Sequence, residues 1–101
     1  MTGNVVDDAR GLLEGGRVAA AREKLLLAPE KNSAAAMLVL ARSYDPNVLQ
    51  SIPGPDAGAD VAEAERWYRR WREIATSEGL AIDPERFERI IRAMRRRGLS
   101  E

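Results

Sequence analysis

The chain has 101 residues, 45% of them apolar, and its 16 basic and 16 acidic side chains cancel to a formal charge of zero. That length suits one domain able to bury a core without disulfides or a metal, and the neutral total argues against whole-surface attraction to nucleic acid or anionic membrane. Cysteine and histidine are both absent, which removes disulfides, thiol nucleophiles, Cys/His zinc sites and every histidine-based triad.

Five main helices are predicted, and each has chemical punctuation. The first follows Asn4, a good N-cap, and sets Asp7 and Asp8 in the first turn, where the helix dipole favours acids. Val5, Val6, Ala9, Leu12 and Leu13 recur at helical spacing until Gly15-Gly16 stops the run. The second covers about Arg17 to Ala28, with Val18, Ala21, Leu25 and Ala28 on one face and Pro29 closing it. The third follows Asn32-Ser33 and runs to about Tyr44, apolar on nearly every side. Such a helix is either central or covered by something else.

Residues 45–59 read as a long loop with three prolines and two glycines, although a short helical turn fits Asn47–Ser51. A connection of that length in a small domain needs pinning. Val48, Leu49 and Ile52 are the apolar residues able to lay it on the body and fill part of a groove. Helix four starts at Asp60-Val61-Ala62-Glu63, the spacing of a capping box. Its stripe is Val61, Ala64, Trp67, Tyr68, Trp71, Ile74 and Ala75, its outer face pairs Glu65 with Arg69, and Gly79 ends it. Helix five opens on Asp83-Pro84, with Ile82 and Phe87 spaced as a hydrophobic staple. It buries Phe87, Ile90, Ile91 and Met94 and is expected to stop at Gly98. No segment shows the two-residue alternation of a strand, so the class is all-α.

Two helical hairpins emerge, at residues 4–28 and 33–78, followed by a helix at 83–98. Gly16, Val18, Ala21, Leu25 and Ala28 match the turn and second helix of a tetratricopeptide repeat in spacing and residue class. Residues 36–44 and 60–68, with Tyr44 and the Trp67-Tyr68 pair, resemble the two helices of the related Sel-one-like repeats. The resemblance spans about residues 5 to 79. It departs from the family in the stretched loop and in Trp71, where the family usually has alanine. It implies antiparallel hairpins stacked as a short α-solenoid, with the last helix as a cap.

The function this implies is non-enzymatic: a protein-interaction module or scaffold whose groove holds a peptide or helix of a partner. In tetratricopeptide-type arrays the first helix of each pair lines the concave surface. The resemblance therefore points to helices one and three, with Arg10, Arg42 and Tyr44 as contacts. Trp71, a tryptophan among arginines, has the composition of an interface anchor and joins them. The alternative is a small nucleic-acid-binding domain using Arg92, Arg95 and Arg96 of the arginine-rich last helix, although arginines there also complement the helix dipole. A spacer or dimerisation segment is a third reading. No catalytic residue, cofactor, metal or small-molecule substrate is expected: Asp7, Asp8 and Asp60 have capping and dipole roles, and Asp56 lies in a turn without EF-hand spacing. The absence of a basic, apolar leader and of a membrane-length apolar run suggests a cytoplasmic location.

Overall fold

The computed structural model describes residues 4–28 and 33–100. Within them lie six helices: α1 (Val5–Glu14), α2 (Val18–Leu27), α3 (Ala34–Arg42), α4 (Pro46–Gln50), α5 (Val61–Ser77) and α6 (Pro84–Ser100). No strand occurs among the described residues. Pro29, expected to close helix two, and Asn32, expected to help open helix three, lie outside the described residues.

Local chemistry sets most helix ends. Asn4 Oδ1 accepts from the Asp7 amide at 2.8 Å, Ser33 Oγ from Ala36 at 3.1 Å, and Asp83 Oδ1 from Glu85 at 3.0 Å. Gly16 and Gly79 adopt φ of 88° and 84°. At each, the next amide reaches back five residues (Arg17 to Leu12, Leu80 to Ala75, both 2.8 Å), closing α1 and α5 in the left-handed C-cap that glycine favours. The capping box at Asp60 is only half formed. Asp60 Oδ1 accepts from the Glu63 amide at 3.1 Å, but the Asp60 amide donates to the Tyr44 carbonyl at 2.9 Å, and Glu63 Oε1 accepts from Trp67 Nε1 at 3.2 Å. The stop expected at Gly98 is also corrected. Helix α6 continues to Ser100, because one helical glycine costs only about 1 kcal/mol relative to alanine.

The expected α-solenoid does not form. The radius of gyration is 13.2 Å, the value of a compact globule of about 100 residues, and the helices close on one another rather than stacking in an open row. Helix α3 packs most extensively on α5, passing over α4 in sequence, and also touches α1 and α2. Helix α6 folds back against both α4 and α5. The physical reason lies in the segment that departs from the repeat pattern. Residues 46–50 form a sixth helix, and Leu49 and Ile52 are buried at 6% and 9% exposure. That helix gives α6 a second surface to pack on, so α6 does not cap the end of a stack. One continuous core results, with Leu25, Leu40, Phe87, Ile91 and Met94 fully buried.

Candidate partner-binding pocket

The site begins with the sequence Asp45-Pro46. Proline at the first helical position and a carboxylate before it start a helix of only five residues. Asp45 Oδ1 accepts from the Asn47 amide at 2.8 Å, and its Oδ2 accepts from the Tyr68 hydroxyl at 2.8 Å. Asp45 is buried at 4% exposure, so these bonds replace the water it loses. Burial, reinforced by the adjacent Asp45, raises the Tyr68 hydroxyl well above its ordinary pKa, and it stays a donor. This bond ties the N-cap of α4 to α5.

Helix α4 then roofs the edge of α1 and α3 without sealing it. A cavity of about 230 Å³ remains between the three helices. Its floor is apolar, made by Leu13, Val39, Val48 and Ile52; its rim carries Arg10 and Glu14 from α1, Arg42 from α3, and Ser51 just past α4. Arg10 donates to Asp7 Oδ1 at 3.0 Å, in a pair whose side chains are 45% and 57% exposed. Arg42 is exposed and makes no ion pair among the described residues.

Two of the four sequence-predicted contacts, Arg10 and Arg42, therefore share one pocket rim. The other two do not line it. Tyr44 is half-buried beneath the Arg22 guanidinium, 3.8 Å from the ring centroid. Trp71 is a core residue at 7% exposure, edge-on to Tyr68 with centroids 6.2 Å apart, because it falls on the buried stripe of α5.

Two residues outside the pocket, whose long-range roles the sequence did not show, tie α2 to the rest of the body. Arg22 donates to Ser43 Oγ at 3.3 Å and to the Gly58 carbonyl at 2.8 Å, tying α2 to the end of α3 and to the loop. Burial lowers its pKa from the ordinary arginine value, opposed by Tyr44, Asp56 and Asp60. Asp56 Oδ1 accepts from the amides of Val18 and Ala19 at 2.8 and 3.0 Å, capping α2 from 38 and 37 residues away. The only local hint was that Arg17, preceding α2, has no side chain able to cap it.

The arginines of the C-terminal half are mostly engaged. Arg95 makes two 2.8 Å bonds to Glu65, which also pairs with Arg69 at 3.5 Å. The hydrogen bond from Arg95 is the main cause lowering the Glu65 pKa. Arg70 pairs with Glu73 at 3.3 Å, Arg72 stacks 4.2 Å over Phe87, and Arg97 donates to Asn47 at 2.6 Å. Arg92 and Arg96 are exposed and make no ion pair among the described residues. Among those residues no cluster of three or more His, Cys, Asp or Glu could hold a metal, and no helix is long and apolar enough to cross a membrane. Comparison of the chain with protein-family models, with curated proteins and with solved structures found no match.

Proposed function

We propose that the chain is a non-enzymatic protein-interaction domain that holds a segment of a partner protein at the pocket between α1, α3 and α4. The observation carrying this reading is the pocket itself, an apolar floor with a charged rim in about 230 Å³. Sites for drug-sized ligands and cofactors occupy roughly 300–1,000 Å³; this one has the size of one or two side chains. Interface anchors are side chains that fill such pockets inside a polar rim. The resemblance of residues 36–44 and 60–68 to Sel-one-like repeats supports the same role at the level of the local helix pair.

The test is a pull-down from the native host with the wild-type chain and Ser51→Phe as paired baits. Ser51 is exposed on the rim, so the phenyl ring blocks the mouth without entering the core. A protein retained by the first bait and lost by the second supports the reading; equal capture by both baits overturns it.

Nucleic-acid binding is the second reading, favoured by the exposed Arg92 and Arg96 on one helix. Salt-dependent retention of DNA or RNA that disappears when Arg92, Arg95 and Arg96 become Glu would put it first.

A further inference from the structure

We infer that the pocket between α1, α3 and α4 takes an acidic peptide segment, seating one aliphatic side chain on its floor and pairing a neighbouring carboxylate with Arg42. This rests on the interaction reading above and names the chemistry of the partner. The floor residues Leu13, Val39, Val48 and Ile52 offer no polar side chain, so the seated group is apolar. The cavity, about 230 Å³, has room for an aliphatic side chain.

The rim selects the neighbour. Arg10 is neutralised by Asp7, and Glu14 offsets the second arginine, so the rim carries no excess charge and its one cation without an ion pair among the described residues is Arg42. Arg42 is exposed at the last turn of α3, and no carboxylate among the described residues pairs with it. Its planar guanidinium matches a carboxylate with two parallel hydrogen bonds. Arg10 is already shared with Asp7, in a solvent-exposed pair of the kind that exchanges easily. Glu14 stands on the same rim and repels a second carboxylate on its side. The arrangement therefore fits one carboxylate beside one aliphatic group, and it disfavours a polyanion.

Fluorescence anisotropy of three labelled synthetic peptides tests this. The first carries a leucine next to a glutamate, the second replaces that glutamate by lysine, and the third replaces the leucine by alanine. The leucine–glutamate peptide is expected to bind wild-type protein, and each replacement to weaken it roughly tenfold or more. Arg42→Glu should reverse the preference between glutamate and lysine, Arg42→Gln should abolish it, and Ser51→Phe should remove all binding. Circular dichroism confirms that each variant keeps its helices. Equal affinity for the glutamate and lysine peptides, with binding still lost in Ser51→Phe, overturns the acidic assignment and leaves the interaction reading standing. Absence of binding by every peptide, or binding untouched by Ser51→Phe, overturns both.

Discussion

Replacing Asp56 by alanine tests whether a loop carboxylate maintains a helix distant in sequence. Helix α2 begins without a capping side chain of its own, and four amides at any helix start lack intrahelical partners. Asp56 satisfies two of them, at Val18 and Ala19, and brings a negative charge to the positive end of the helix dipole. Loss of an N-cap costs about 1 kcal/mol, within a range of about 0.5–2, and the dipole adds about 0.3–1 kcal/mol. Val18 is fully buried, so water replaces its bond poorly, whereas the exposed Ala19 amide is resolvated. An expected loss of about 1.5 kcal/mol follows. The bond from the Asp56 amide to the Gly16 carbonyl, 3.0 Å, is unaffected because it belongs to the backbone. Asp56→Asn keeps an acceptor oxygen and should lose only the charge contribution, about 0.5 kcal/mol. Urea unfolding followed by circular dichroism measures both. With a slope of about 1–2 kcal/mol per molar, the alanine variant should unfold at roughly 1 M less urea and the asparagine variant at less than half that shift. An alanine variant with an unchanged midpoint would refute the reasoning.

Tyr68→Phe strips the buried Asp45 oxygen of its donor and should cost about 1–3 kcal/mol, read from the same denaturation curves. Because folding raises the Tyr68 pKa, its contribution is complete below the ordinary value of 10.0 and is lost as pH climbs past it. Alkaline destabilisation above that pH should therefore shrink in the phenylalanine variant. Gly16→Ala combines a positive φ with a new methyl 2.7 Å from the Pro53 carbonyl oxygen, and should cost about 2 kcal/mol or more. Gly11→Ala, on an exposed helical face with nothing within 4 Å, should instead stabilise by about 0.5–1 kcal/mol; thermal melts distinguish the two. Replacing Leu49 or Ile52 singly by serine should cost about 3 kcal/mol and raise binding of a hydrophobic dye while far-ultraviolet helicity persists. No gain in dye fluorescence would mean that the segment covers nothing.

Most helix starts and stops were legible because their chemistry is local; the start of α2, capped from Asp56, and the end of α6, which runs past Gly98, were not. Asn4, Ser33, Asp60 and Asp83 each cap an amide two or three residues on, and Gly16 and Gly79 each close a turn within the preceding residues. The Asp45-Pro46 start carries the same signature as Asp83-Pro84, but five residues show no helical period, so α4 read mainly as loop. The packing was not legible. A repeat resemblance describes how a hairpin is built, and it is silent about a loop that supplies a new packing surface to α6. For the pocket, Arg10 and Arg42 could be named as polar positions off or at the edge of apolar helix faces, and they meet on one rim. Trp71 and Tyr44 share the residue types of interface anchors, yet one fills the core and the other lies under Arg22. The roles of Arg22 and Asp56 were invisible because their partners lie 21 to 38 residues away.

The distant cap on α2 also makes two backbone amides into reporters. Amide hydrogens exchange with solvent only when their hydrogen bonds open, and those of Val18 and Ala19 are closed by a side chain from the segment that follows the pocket. Detachment of that segment would release both amides while the bond from Ala21 to Arg17 within α2 stays made. Deuterium uptake at these two positions, compared with uptake deeper in α2, therefore measures how often the loop around Asp56 lets go of α2.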